Sequence, residues 1–246
     1  MYRFFLDDYE SFENKIVIRG EKYKHIVKSI RKKVGDDFQI VTADGIFKVL
    51  IEDIDEEKLS CKIMEKVRSS HESNIRIHFC QALAKSDKPE SVFQRAVELG
   101  VTELLPFTSK RTVVKIDDKN KQKKLARFEK VVEGASQQAK RDIIPEVRDI
   151  LTFEALLKLL KGKKILFAYE GGGESLRDIL TSFRQVSELE DIYVVIGPEG
   201  GFDEDEVLQM KKIGAKIVSL GERILRVETA GIALISILQY ELGDIL

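Results

Sequence analysis

Three stretches in the second half of the sequence combine residue types that could hold a ligand and act on it. They are residues 169–173 (YEGGG), 197–202 (GPEGGF) and 220–226 (LGERILR). Glycine lets a backbone approach a ligand closely, and open backbone N–H and C=O groups can recognise a planar heterocycle such as adenine. Each cluster alone is also typical of a tight turn. Together they predict a site in which the backbone does most of the binding.

The sequence around these stretches favours a cationic ligand over a phosphate. Neither of the standard phosphate-binding patterns, GxGxxG and GxxxxGK followed by Ser or Thr, is present. Four successive acids, residues 203–206, follow the second stretch, and acids at a helix N-terminus repel phosphate. S-adenosylmethionine (SAM), whose sulfonium is positively charged, is a ligand of the favoured kind.

Each stretch follows a predicted buried strand, at Ile165–Tyr169, Ile192–Ile196 and Lys216–Ser219. Helices are predicted from Pro89 to a Gly100 cap, at Lys119–Gln138 and Phe153–Leu160, after the capping pairs Ser175/Asp178 and Asp203/Glu206, and at Thr229–Leu242. This alternation predicts an α/β domain with a parallel sheet. Ligands of such sheets bind at the carboxyl ends of the strands, so the three stretches should lie together.

The first part of the chain follows a different, β-rich pattern. Apolar runs at Asp37–Val41 and Ile46–Ile51 flank an Asp-Gly step, which is a strong hairpin signal, and Leu59–Val67 is a third alternating run. A helical stretch at Glu21–Ile30 interrupts them. The pattern predicts a small barrel over residues 1–70, a polar linker, and a second domain over residues 73–246.

Composition excludes several classes of protein. The net charge of −1 excludes a uniformly basic nucleic-acid binder. Two cysteines, Cys61 and Cys80, are too few for a disulfide framework, and His25, His71 and His78 are too scattered to predict a metal site or a catalytic histidine. Acids come too early for a signal peptide and no apolar run could span a membrane, so we expect a cytoplasmic protein without metal.

Positive charge is nevertheless concentrated in two segments. Residues 19–33 hold seven Lys/Arg and one acid, and residues 110–148 hold twelve Lys/Arg and six acids. If the segments meet on one face, they could follow a phosphate backbone. Solvated helix faces explain them equally well, and the sequence leaves both interpretations open.

The second and third stretches resemble the signature motifs of one family, the ribosomal RNA small-subunit methyltransferase E group. These are uridine N3 methyltransferases of the SPOUT superfamily. Further segments match the family pattern in order, so that the resemblance covers nearly the whole chain: residues 3–5, 81–85, 98–101, 109–112 and 133–141 with Pro145.

The resemblance implies a fold, a cofactor and a substrate. The fold would be a SPOUT-type α/β domain with a deep trefoil knot, preceded by a PUA-like β-barrel that helps to bind RNA. The protein would be a homodimer that methylates ring N3 of a uracil in 16S ribosomal RNA or in the small ribosomal subunit. By resemblance, its SAM pocket would use Tyr169, Glu170, Gly171, Ile196, Gly197, Gly200, Leu220, Ile224, Leu225 and Arg226.

The uracil N3 proton must leave before that nitrogen can accept a methyl group, which requires a proton acceptor or an anion stabiliser. An arginine fork could hold a uracil carbonyl as negative charge develops. Arg226 is the first candidate, Arg223 the second, and Glu228 a candidate base. The alternatives are a phosphate or interface contact for Arg226, and a helix-start acid beside a Thr229 cap for Glu228.

The RNA-binding candidates are Arg3, Arg31, Lys85, Arg111, Gln137 and Arg141, each of which could instead be an ordinary surface residue. Three other functions stay open. A related SPOUT enzyme could modify another RNA site, such as a ribose 2′-hydroxyl. The chain could be a non-catalytic ribosome-assembly factor, although such a factor would not need the glycine loops. It could also be a small-molecule nucleotide-binding enzyme, against which the β-rich first domain and the basic segments count.

Overall fold

The structure is a computed structural model that describes residues 2–68, 71–83, 89–113, 118–184 and 191–245. The chain divides into two compact units. Unit 1 contains residues 1–71 and 137–143, and unit 2 contains residues 72–136 and 144–246.

Unit 1 is built on a six-stranded sheet with the strand order β1-β4-β5-β6-β3-β2. Its strands are β1 (Arg3–Phe5), β2 (Glu10–Phe12), β3 (Lys15–Arg19), β4 (Asp37–Thr42), β5 (Gly45–Ile54) and β6 (Lys58–Val67). The β1–β4 pair is parallel and the other pairs are antiparallel. Helix α1 (Gly20–Lys24) continues as a π-helical turn (His25–Ser29), in the region where a helix was predicted.

The predicted hairpin is confirmed. Thr42 pairs with Gly45 across the turn, where Gly45 adopts a φ of +127° that favours glycine. Alternation along the two strands buries Phe38 and Ile40 on β4 with Val49 on β5. Each buried side chain of this size contributes about 1.5–3 kcal/mol to folding, so this face holds the core of unit 1 together.

Arg3 lies inside unit 1, and its prediction as an RNA contact is wrong. The side chain is 0% exposed. Its Nη2 donates to Gln39 Oε1 at 2.9 Å, its Nη1 donates to the Lys140 carbonyl at 2.6 Å, and it pairs with Asp142. Arg141 is also buried, at 3% exposure, which corrects the same prediction for that residue. Both arginines therefore stabilise the unit and do not offer a charge to a phosphate.

Unit 2 contains the second sheet. Its elements, in order, are β7 (Arg76–Ala82), α2 (Pro89–Glu98), β8 (Glu103–Thr108), α3 (Asp118–Gln138), β9 (Glu146–Val147), β10 (Leu151–Thr152), α4 (Phe153–Leu160), β11 (Lys164–Ala168), β12 (Glu174–Ser175), α5 (Leu176–Phe183), β13 (Asp191–Ile196), α6 (Glu204–Lys212), β14 (Lys216–Ser219) and α7 (Val227–Leu242). The strand order is β10-β8-β7-β13-β11-β14-β12, with β9 beside β8, and every pair is parallel.

Helices cover both faces of this sheet, as the predicted α/β class requires. Helices α2, α3, α5 and α7 pack on one face, where Phe93, Phe128 and Leu234 are buried. Helices α4 and α6 pack on the other, where Leu156 and Met210 are buried. With both faces covered, only the strand ends remain open, and the three ligand-binding stretches follow the carboxyl ends of β11, β13 and β14.

Two predicted helix starts need correction. Helix α7 begins at Val227, because the backbone N–H of Thr229 already donates to the Arg226 carbonyl at 2.9 Å. Arg226, and not Thr229, is therefore the N-cap. Ser175 is the N-cap of α5 but its side chain makes no capping hydrogen bond. The predicted Asp203/Glu206 pair, by contrast, forms a complete capping box at α6.

Candidate active site

A cavity of about 610 Å³ lies at the carboxyl edge of the sheet in unit 2, where the three predicted loops meet. Its wall includes all the predicted cofactor residues except Gly171, namely Tyr169, Glu170, Ile196, Gly197, Gly200, Leu220, Ile224, Leu225 and Arg226. It also includes the two other catalytic candidates, Arg223 and Glu228. Residues up to 60 positions apart in the sequence therefore surround one space, because parallel strands deliver their loops to the same edge.

The glycines allow these loops to pack against one another. A Cβ on Gly201, whose φ is +67°, would lie 2.3 Å from Oε1 of Glu170 in the first loop. A Cβ on Gly197 would lie 2.7 Å from the ring of Phe202. Gly171, although outside the cavity wall, leaves room for the ring of Tyr169, which a Cβ would approach to 2.3 Å. These loop conformations therefore require glycine at the three positions, because a side chain there would clash with a neighbouring residue.

A fourth loop, residues 109–112 after β8, fastens the second glycine loop. Arg111 Nη1 donates to the Gly200 carbonyl at 3.1 Å. The buried carboxylate of Glu206 accepts hydrogen bonds from the backbone N–H of Lys110 at 2.8 Å and of Asp203 at 2.9 Å. Arg111 was predicted to contact RNA. In the structure it lies beside the second glycine loop, at the carboxyl edge of the sheet. The local spacing predicts Glu206 as a cap, but it gives no signal for the bond to Lys110, which lies 96 positions away.

The charges on the cavity wall divide into two sets. The acidic set consists of Glu170, Glu199, Glu222 and Glu228. The side chains of Arg223 and Arg226 are exposed and form no ion pair or hydrogen bond with the residues that the structure describes. Acidic groups can attract a cationic ligand, while two unpaired guanidiniums remain for a second, electron-rich molecule at the same mouth.

The remaining catalytic and RNA-binding candidates differ in their exposure and in whether they already have an interaction partner. Glu228 is half-buried in the first turn of α7 and already has an interaction partner. Arg31 is exposed with a φ of +61°, whereas Gln137 is half-buried and has a partner. Lys85 lies outside the described residues. Among the described RNA-binding candidates, Arg31 is an exposed cation outside the cavity region.

Other catalytic chemistries have little support in the described part of the chain. Burial raises the pKa of the Cys61 thiol to about 12 and raises that of Cys80 well above its usual value, so neither is a thiolate nucleophile at neutral pH. No group of three His, Cys, Asp or Glu side chains is arranged to hold a metal among the described residues. No described helix is long and apolar enough to cross a membrane.

Comparisons with known proteins match both units. A family described as RNA methyltransferase domain matches residues 71–239, and one described as RNA methyltransferase PUA domain matches residues 18–64. A solved ribosomal RNA small subunit methyltransferase E from Neisseria gonorrhoeae, bound to SAM, superposes with a TM-score of 0.87 at 27% identity and covers 100% of both chains. The fold is that of a SAM-dependent RNA methyltransferase with a PUA-like domain.

Curated relatives narrow this class further. The ribosomal RNA small subunit methyltransferase E of Bacillus subtilis is 34% identical, covering 91% of this chain and 89% of its own. The protein of the same name from Mesomycoplasma hyopneumoniae is 31% identical, covering 96% of this chain and 98% of its own. The chain therefore belongs to the ribosomal RNA small subunit methyltransferase E family.

The cavity fits SAM, the cofactor of this family. Ile196, Leu220 and Leu225 supply apolar surface for an adenine ring, and the glycine loops supply close backbone groups. The carboxylates of Glu170 and Glu199 suit a molecule with a sulfonium and an ammonium group. No basic side chain from the first two loops lines the wall, in agreement with a ligand that carries no phosphate.

Proposed function

We propose that this protein methylates ring N3 of a specific uridine in 16S ribosomal RNA, as naked RNA or in the small ribosomal subunit. The observation that carries the proposal is a pair of exposed arginines beside a SAM-compatible cavity. These residues, Arg223 and Arg226, have no carboxylate partner in the described part of the chain. The names of its relatives, which are small-subunit ribosomal RNA methyltransferases, support the substrate class.

The target nitrogen determines what the protein must provide. Uracil N3 carries a proton and has no free in-plane lone pair, so the proton must leave before the N–C bond can form. The negative charge that this leaves spreads onto the two ring carbonyls until the methyl group is transferred. Arg226 would donate to one of these carbonyls, and Arg223 to the other or to a neighbouring phosphate. Glu228, one residue into α7 from Val227, is the candidate proton acceptor.

The cofactor would be held mainly by the backbone. Loop residues Tyr169, Glu170, Gly197, Gly200 and Leu220 would surround it, with Gly171 giving the first loop its shape. When bound, SAM supplies the electrophilic methyl group. The loops fix the direction from which the target nitrogen can approach, and such positioning is the main catalytic contribution in a transfer that needs attacking and leaving atoms in line.

The rest of the proposal concerns the domains of the chain, its oligomeric state and its location in the cell. Residues 1–70 would form the PUA-like RNA-binding domain and residues 73–246 the catalytic domain with its trefoil knot. A homodimer would cover Ile237 and Tyr240, which are 37% and 65% exposed on α7. We place the protein in the cytoplasm, where its substrate is made.

The test is transfer of radiolabelled methyl from SAM to small ribosomal subunits purified from cells that lack this protein, followed by nucleoside analysis. We expect 3-methyluridine as the product. A methylated ribose or another base would keep the cofactor and move the target. Failure to transfer methyl to subunits or to naked 16S ribosomal RNA, together with no SAM binding by calorimetry, would leave a non-catalytic assembly factor.

A further inference from the structure

We propose that the outward face of α3 is a docking surface for the sugar–phosphate backbone of the RNA substrate. The surface consists of Lys123, Arg127, Lys130 and Gly134, and we call it the α3 stripe. The inference rests on the proposed function, because it takes an RNA substrate for granted, but it assigns the contact to a helix that does not line the cofactor cavity.

The four residues share one side of the helix. Phe128 and Val132 are 0% exposed and fix the inner side of α3 against the core of unit 2. At about 100° per residue, positions 123, 127, 130 and 134 fall within a narrow band on the opposite side. The first three rise along the helix by steps of about 6 Å and 4.5 Å, so their charges form a row instead of a single point.

The row carries available positive charge. Lys123 and Lys130 are exposed and form no ion pair with any residue that the structure describes. Arg127 has an ion pair, from Nε to Glu90 at 3.0 Å, yet its side chain remains 60% exposed. The chain as a whole has a net charge of −1, so this concentration is local. A polyanion gains from such a row because each neutralised phosphate releases counterions.

Gly134 provides a second, independent observation. It lies inside a 21-residue helix, where glycine is less favourable than alanine, and it is exposed. A Cβ added there would have nothing within 4 Å, so no packing within the protein explains the missing side chain. A partner that closely approaches the helix backbone would explain it. A second copy of this chain is disfavoured, since a symmetric contact would bring Lys123, Arg127 and Lys130 against their own equivalents.

Gly134→Ala gives a sharp test, because it should make the protein more stable and at the same time weaken its binding to RNA. The substitution should raise Tm, as glycine-to-alanine changes at exposed helical positions do. If RNA approaches this backbone, the same change should raise the Kd for a 16S ribosomal RNA transcript about threefold or more, and Gly134→Leu should raise it further. A purely structural position would show the rise in Tm alone.

The charges are tested with the double variant K123E/K130E. Its Kd for the transcript should rise about tenfold or more, and the slope of log K against log salt should become shallower by between about 1.4 and 1.8. The matched control is K211E/K212E, which reverses two exposed lysines in the last turn of α6, a helix that packs on the opposite face of the sheet. That control should leave Kd and slope unchanged.

Three readouts separate the possible results. SAM affinity by calorimetry should be equal in all variants, and 3-methyluridine formation by the wild-type chain tests the proposed function separately. Unchanged RNA affinity, salt slope and KM for small subunits in both Gly134→Ala and K123E/K130E would overturn the α3 stripe while leaving the methyltransferase intact. A change in sedimentation coefficient without a change in RNA affinity would assign the face to a second copy and equally overturn it.

Discussion

The two edges of the parallel sheet in unit 2 differ in whether their charged side chains have partners within the protein. At the carboxyl edge, Arg223 and Arg226 are exposed without partners among the described residues, beside a cavity of about 610 Å³. At the amino edge, where β7, β8 and β13 begin, His78 lies between the carboxylates of Glu103 and Asp191. One edge keeps its charges for another molecule, and the other uses them to hold three strands together.

In the amino-edge network, both ring nitrogens of His78 and the carboxylate of Glu103 already have partners. His78 Nδ1 lies 2.5 Å from Glu103 and Nε2 lies 3.0 Å from Asp191, so a protonated ring donates from both nitrogens. Burial lowers the pKa of His78, but the two carboxylates outweigh burial and raise it overall. Arg148 pairs with Glu103, and Tyr193 stacks on the imidazole at 4.3 Å. With every partner engaged, a stability role is expected here and a catalytic role is not.

The largest effect should come from the carboxyl edge. Replacing Arg226 with alanine removes the donor that we propose for the developing negative charge, and the loss of such a donor typically lowers kcat about 100- to 1,000-fold. The measurement is single-turnover methyl transfer to small subunits. Tm should stay close to wild type, because the Arg226 side chain has no partner among the described residues. SAM should still bind, because we expect the backbone of the loops to do most of the binding. A variant that loses stability and activity together would contradict the contrast between the edges.

The next effect concerns the glycine loops. Alanine at Gly201 must adopt a φ of +67° and meet Glu170 at 2.3 Å, so the second loop should shift and the Kd for SAM should rise about tenfold or more. Gly35→Ala is the matched control, since Gly35 has a φ of +90° but nothing within 4 Å. It should cost stability and leave SAM binding unchanged in calorimetry. Equal SAM affinity in both variants would show that SAM binding does not require the close approach of the two loops at Gly201.

At the amino edge, the expected loss is in folding. Glu103→Gln removes charge-assisted hydrogen bonds from a side chain that is 9% exposed, and should lower the free energy of unfolding by about 2 kcal/mol in urea denaturation. Glu146→Gln is the control on the same arginine: its ion pair with Arg148 is exposed and should contribute less than about 0.5 kcal/mol. SAM affinity should not change in either variant. Equal losses in the two variants would contradict a special role for the buried pair.

The smallest effect is a pH dependence of stability. Because the pKa of His78 is raised in the folded state, its contribution is fully present below the unfolded pKa of about 6.5 and is lost as the pH rises through the folded value. Asp191 acts in the opposite direction: mainly its hydrogen bond from Arg76 lowers its pKa to about 2, so its contribution is lost as the pH falls towards that value. The unfolding free energy of wild type minus that of His78→Gln should therefore decrease from pH 6 towards pH 8. A flat difference would exclude a protonated His78.

The sequence predicted best what is local or periodic. The predicted bounds of α4 and β14 coincide with the observed ones, because a strong apolar pattern ends at Gly162 in one case and lies between Gly214 and Gly221 in the other. The glycine stretches likewise pointed to the loops that surround the cavity, since each follows a recognisable buried strand.

What the sequence did not predict depends on distant partners. Arg3 looks like a surface cation, and only the fold shows it donating to Lys140, which is 137 positions away. His78, Glu103 and Asp191 lie on three different strands, so no spacing could reveal their network. The start of α7 was misplaced because its N-cap, Arg226, uses only its backbone carbonyl, for which side-chain rules give no signal.

The burial of Arg3 also limits how this protein can be dissected. A fragment that began at Glu72 would retain the carbonyls of Lys140 and Arg141 and the carboxylate of Asp142 but lose the guanidinium that serves all three. Such a truncation would therefore separate residues 137–143 from the rest of the compact unit to which they belong. Recombinant work on the catalytic half should thus use the full chain, with domains disabled by point substitution instead of truncation.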